Sequence, residues 1–86
     1  MARVTLSYFA WVREGMGCDG EAVDLPTDVA TIAGLIDWLA ARDPASASVL
    51  ADRNRIRAAR DGAMAGLDSA IGEASEIALF PPVTGG

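Results

Sequence analysis

With 86 residues, a hydrophobic fraction of 51% and a charged fraction of 22%, the chain has room for one compact domain, one modest core and no large substrate cavity of its own. Its net charge of −5 argues against nucleic acid as a partner, and the absence of Lys and His removes the Schiff-base amine, the commonest general base and the usual metal ligand. A single Cys permits no internal disulfide, and no apolar run approaches the ~20 residues of a membrane span or a signal segment, so a soluble cytoplasmic protein is expected.

Residues 3–11 alternate. Val4, Leu6, Tyr8 and Ala10 fall on one side and Thr5, Ser7 and Phe9 on the other, which predicts a half-buried strand with an aromatic on its polar face. Gly15, Gly17 and Gly20 predict a loop, and residues 21–25 a second strand that Pro26 ends; the two strands are expected to pair as an antiparallel hairpin. Thr31 is the expected N-cap of the main helix, whose Ile32, Leu35, Ile36, Leu39 and Ala40 fall at i, i+3, i+4, i+7 and i+8. Arg42 suits the negative end of that helix, Asp43-Pro44 closes it, and residues 45–51 predict a short helical turn. Strands at 55–60 and 63–67 are joined through Asp61-Gly62, a two-residue hairpin signature, and a last strand at 76–80 stops at Pro81-Pro82. The order of elements predicts an α+β fold, one main helix packed on one face of a mixed sheet, with residues 1–80 as the domain and 81–86 as a flexible tail.

That tail carries the chemistry. Pro81-Pro82 and Val83-Thr84 favour an extended backbone. The six residues reach ~20 Å beyond the last strand. Gly85 and Gly86 lack Cβ and suit passage through a channel too narrow for side chains. At the tip stands the carboxylate of Gly86, an acyl donor once activated as an acyl-adenylate and then a thiocarboxylate once captured by sulfur. The plainer alternative is a frayed tail that happens to end in glycines.

Elsewhere, strand alternation places Phe9, Met64 and Phe80 on outward faces, where together they would make a docking patch. Cys18, with Glu14 and Asp19 close in sequence, is a poor nucleophile and reads as incidental. Arg53, Arg55, Arg57 and Arg60 read as a solvated strand face, since no aromatic is interleaved for base stacking. Trp11 and Trp38 could flank a ligand, but packing is the better account of Trp38 beside Leu35 and Leu39.

The closing EIALFPPVTGG, with YFAWVREGMG in the first strand and TIAGLIDWLA in the helix, resembles the molybdopterin synthase small-subunit family of ubiquitin-like β-grasp sulfur carriers, over essentially the whole chain. Family members often have Asn near position 61 and a turn like D-G-D-E before the last strand; here stand Asp61 and Gly72-Glu73-Ala74-Ser75-Glu76, departures that touch hairpin detail rather than the tail. The resemblance implies that an ATP-dependent, ubiquitin-activating-like adenylyltransferase activates Gly86, and that persulfide sulfur makes the thiocarboxylate. It implies that residues 81–86 (Pro81, Pro82, Val83, Thr84, Gly85, Gly86) then enter the synthase large subunit and sulfur passes to cyclic pyranopterin monophosphate. It further implies a heterotetramer of two small and two large subunits, docking through the positions of Phe9, Met64 and Phe80, with no metal and no bound cofactor. The chain would serve as the sulfur-donor subunit of a sulfurtransferase and not be catalytic alone. Alternatives are a carrier for thiamine or another thiolation pathway, a ubiquitin-like modifier, and a plain interaction domain.

Overall fold

The computed structural model describes residues 2–82. Five strands, β1 (Ala2–Tyr8), β2 (Gly20–Leu25), β3 (Arg57–Arg60), β4 (Ala63–Ala65) and β5 (Glu76–Phe80), form one mixed sheet in the order β2-β1-β5-β3-β4. The central pair, β1 and β5, is parallel, in register from Thr5↔Glu76 to Tyr8↔Leu79, and every other pairing is antiparallel. Three helices, α1 (Ala10–Met16), α2 (Ile32–Ala40) and α3 (Pro44–Val49), complete the α+β architecture.

The core lies on one face of the sheet. Val4, Leu6 and Tyr8 of β1, Val23 and Leu25 of β2, Ala58 of β3, and Ile77 and Leu79 of β5 are buried against Ile32, Leu35, Ile36 and Leu39 of α2. The spacing of those four helical residues is the apolar stripe expected from the sequence. Thr31 caps α2 as expected, its Oγ1 accepting from the Gly34 N–H at 3.0 Å. Two further donors of the first turn, the N–H groups of Ile32 and Ala33, bond the carbonyls of Ser69 and Leu67, so the loop before β5 straps the start of the helix.

Three expectations require correction. The first strand does not run to Trp11: it ends at Tyr8, and Ala10, expected to face inward, is exposed at the start of α1 with φ 53°. Only Val12 is buried on this seven-residue helix, so it leaves almost no periodic trace in the sequence. The two strands are therefore antiparallel partners joined by a helix, not by a glycine loop. Gly15 lies within that helix, where a Cβ would overlap the Val49 side chain of α3, whereas Gly17 ends the helix at φ 80°. Second, Asp43-Pro44 does more than close α2. Asp43 caps α3, its Oδ1 accepting from the Ser46 N–H at 2.7 Å, and this hydrogen bond holds its carboxyl below the usual range. Third, β3 begins at Arg57, because Arg53–Arg55 form a 3-10 turn, and β4 stops at Ala65. The turn between β3 and β4 is as expected, with Asp61 at φ 49° and Gly62 at φ 86°, both left-handed.

One polar cluster joins sheet to helix. The buried Tyr8 hydroxyl donates to Glu21 Oε2 at 2.7 Å, and Arg42 donates to both oxygens of the same carboxylate at 2.9 and 2.8 Å. The Arg42 guanidinium also lies 5.5 Å from the centroid of the Trp38 ring. Burial, then the neighbouring carboxylate, pushes the Tyr8 hydroxyl far above its ordinary pKa; the Arg42 hydrogen bonds hold Glu21 below its ordinary value of 4.5. Stability supplied by a depressed carboxylate is complete above its unfolded pKa and is lost as pH falls through the folded one. Glu21→Gln keeps an acceptor for Tyr8 but does not titrate, so its stability should fall less than the wild type's between pH 4.5 and lower pH in urea titrations. Glu21→Ala strands the Tyr8 hydroxyl and should cost about 1–3 kcal/mol at neutral pH.

Candidate functional site

The face of the sheet opposite α2 is uncovered. Across it the registers Ser7↔Gly20, Ser7↔Ala78, Ala59↔Ala78 and Ala59↔Met64 align one row of small side chains that ends in a methionine on the edge strand. The next row toward the end of β5 holds Phe80, with Arg57 directly opposite it on β3. Phe9 completes that row. Its backbone is extended, and its N–H donates to the Leu79 carbonyl at 3.2 Å, which prolongs the parallel pairing of β1 and β5 by one residue.

The structure thus brings Phe9 and Phe80 side by side and puts Met64 on the same face, two strand spacings or roughly 10 Å from β5. Phe9 is 51% exposed and Met64 68% exposed, the two large hydrophobic residues most open to solvent among the described residues; Phe80 is half-buried. A large apolar side chain at half exposure gives up much of the stability that burial supplies, and a cluster of them on an uncovered sheet has the character of surfaces that partners cover. Below this row Ser7 Oγ donates to Glu76 Oε2 at 2.6 Å, which keeps the polar end of the face internally satisfied.

Phe80 is also the root of the tail. After it Pro81 and Pro82 are half-buried and outside any strand, since neither has an N–H to give to a ladder. Because β5 lies between β1 and β3, the chain leaves the domain beside the Phe9–Phe80 pair and not from a sheet edge. Val83, Thr84, Gly85 and Gly86 lie outside the described residues.

The remaining sequence candidates separate. Cys18 is exposed in the turn between α1 and β2. Trp11 and Trp38 do not share a site: Arg55 lies over the first and Arg42 over the second. The arginine strip is not uniformly solvated, because Arg53 pairs with Asp37 at 2.6 Å and Arg60 Nε donates to the Ile71 carbonyl at 2.9 Å. Among the described residues no group of three His, Cys, Asp or Glu side chains could hold a metal ion. A cleft of about 460 Å³ lies between Leu25–Thr27, Val29–Ala30 and Ala70–Gly72, at the opposite end of β1 from Phe9; none of its lining residues is ionisable. No helix among the described residues is long and apolar enough to cross a membrane.

A family model described as the ThiS family matches residues 6–86. The chain is 34% identical over 83 residues to the molybdopterin synthase sulfur carrier subunit of Escherichia coli (strain K12), covering 96% of this chain and 99% of that protein. It is 37% identical over 79 residues to the molybdopterin synthase sulfur carrier subunit of Haemophilus influenzae, covering 92% and 94%. Among solved structures, the Haloferax volcanii small archaeal modifier protein 1 superposes with a TM-score of 0.74 at 30% identity, over 96% of this chain and all of that one. These neighbours carry the ubiquitin-like β-grasp fold, and with its mixed sheet under a main helix this chain shares it.

Exposure separates the roles of the apolar residues. Leu35→Ala should lower stability by about 2–5 kcal/mol in chemical denaturation, since Leu35 is fully buried. Phe9→Ala and Met64→Ala should each change it by less than about 1 kcal/mol. Phe80→Ala should fall between.

Proposed function

Because the chain belongs to the ThiS family, we propose that it is the sulfur carrier subunit of a molybdopterin synthase and that the carboxylate of Gly86 carries the sulfur. The observation that carries this reading is the near end-to-end match, at 34% and 37% identity, to two proteins of that name. The geometry supports it: β5 ends at Phe80 beside the exposed Phe9 and leads directly into Pro81-Pro82, so a partner seated on that face would receive the tail.

In the proposed cycle an adenylyltransferase uses ATP. The Gly86 carboxylate attacks the α-phosphorus, pyrophosphate leaves, and an acyl-adenylate forms. Terminal sulfur of a persulfide then attacks the acyl carbon and expels AMP. Reduction of the resulting acyl disulfide by a second thiol frees the thiocarboxylate and leaves a disulfide on the sulfur donor. The large subunit binds the domain through Phe9, Met64 and Phe80, takes residues 81–86 into its active site, and passes the sulfur to cyclic pyranopterin monophosphate. The domain itself contributes no base, metal or cofactor; it presents and aims the tail. We place these steps in the cytoplasm and in a complex of two small and two large subunits. A second reading, a ubiquitin-like modifier, is favoured by the likeness to the small archaeal modifier protein 1. It shares the activation step and differs in the acceptor, a Lys amine instead of a pterin carbon.

Deleting Gly86, or extending the chain beyond it with residues that are not cleaved, should abolish sulfur transfer and leave the unfolding transition unchanged. Gly85→Val should do the same by adding a β-branched side chain where the tail passes a narrow channel. Intact mass after incubation with the activating enzyme and sulfur donor should show one oxygen replaced by sulfur. Normal transfer from an extended carrier, or an isopeptide bond to Lys in place of pterin product, would overturn the carrier reading. Phe9→Ala and Phe80→Ala should each weaken affinity for the large subunit by about 2 kcal/mol, read by calorimetry.

A further inference from the structure

Segment 53–60 carries Arg53, Arg55, Arg57 and Arg60 on a chain whose net charge is −5. Two are committed within the fold, Arg53 to the Asp37 carboxylate and Arg60 to the Ile71 carbonyl. The other two meet no carboxylate among the described residues. Arg55 stands with its guanidinium 5.2 Å from the centroid of the Trp11 ring. Arg57 is held differently, by its Nη1, which donates to the carbonyls of Asn54 at 3.0 Å and Ile56 at 3.1 Å.

That arrangement leaves a specific edge of Arg57 unused. A guanidinium has five N–H donors, and Nη1 supplies two of them. The remaining Nε–H and Nη2 side is a planar fork whose spacing matches the two oxygens of a carboxylate. The two backbone carbonyls hold the guanidinium in place, so less side-chain freedom is lost when the fork is filled. Arg57 is exposed, and its register partner across β3 and β5 is Phe80. A preset cationic fork therefore stands at the margin of the apolar pair at the root of the tail.

We propose that Arg57, flanked by Arg55, is a carboxylate-binding rim of the docking face, and that the protein partner seated over Phe9 and Phe80 places an Asp or Glu side chain on it. The inference rests on the docking reading above and adds the chemistry of the partner surface. Charge complementarity selects this occupant: a chain carrying −5 overall gains from an acidic partner only where arginines concentrate locally. A phosphate on the activated tail is the weaker fit, because a chain of six residues has a reach of up to ~20 Å between Phe80, opposite Arg57, and its terminal carboxylate. Water is excluded when the apolar pair is covered, which strengthens the bidentate contact relative to an exposed one.

The test uses the full chain and the molybdopterin synthase large subunit, with affinity measured by calorimetry at low and high salt. Arg57→Glu should weaken binding by about tenfold or more, and Arg57→Lys, which keeps the charge without the fork, should fall between it and the wild type. Arg3→Glu makes the same change of charge at the opposite end of β1, in an exposed pair with Asp24, and should alter affinity by no more than about twofold. Salt should weaken the wild type more than Arg57→Glu. All variants should remain folded at the assay temperature, with only small shifts of the unfolding midpoint, since both arginines are exposed. Equal losses for Arg57→Glu and Arg3→Glu, or no loss for Arg57→Glu, would overturn the rim while leaving the docking reading intact. Binding of AMP to the isolated chain that disappears in Arg57→Glu would assign the fork to phosphate and overturn it as well. A wild type with no affinity for the large subunit would overturn the proposed function and the rim together.

Discussion

The parallel pairing of β1 with β5 is the constraint on which the rest of the structure depends. Parallel neighbours cannot be joined by a tight turn, so the chain between Tyr8 and Glu76 must make a long excursion. That excursion becomes β2 on one side of the pair, β3 and β4 on the other, and the helices that cover one face. The same pairing sets Phe9 beside Phe80. Moving β5 along β1 by one residue would turn Ile77 and Leu79 out of the core and carry Phe80 into it.

Size then decides where activity can reside. A domain this small fills its interior with one helix-covered face, so the other face and the end of β5 are the surfaces left for recognition. Small side chains such as Gly20, Ala59 and Ala78 keep that face low, and Phe9, Met64 and Arg57 stand above it. The side chains most exposed on that face thus contribute little to holding the domain together. The Tyr8–Glu21–Arg42 cluster does the opposite work, tying β1, β2 and the end of α2 to one another.

Much of this was legible in the residues because the signals were local. Ile32, Leu35, Ile36 and Leu39 announce α2, Thr31 announces its start, and Asp61-Gly62 announces the turn between β3 and β4. What sequence could not convey was non-local or strained. Helix α1 hides because Tyr8-Phe9-Ala10 continues the alternation of β1, while the left-handed φ at Ala10, which ends the strand, has no residue signature in an alanine. Gly15 looked like loop material, yet its reason is the Val49 side chain, thirty-four positions away in the chain. The outward placement of Phe9, Met64 and Phe80 followed from alternation, but the neighbouring positions of the first and the last needed the parallel register. Arg57 gave no sign at all, since its meaning comes from Phe80 opposite it and from two carbonyls in the preceding turn.

The strand order also governs what an incomplete copy of the protein can be. Without β5 the sheet falls into two unconnected pieces, β2 with β1 and β3 with β4, because β5 is the single strand that touches both. During synthesis from the N-terminus, most of the chain leaves the ribosome before the residues that join those pieces exist. Ile77 and Leu79 enter the middle of the core only at that late stage, and residues 81–86 follow directly behind them. A chain broken off early therefore has neither the Phe9–Phe80 row nor the residues that follow it, and translation releases no half-made copy that presents one without the other.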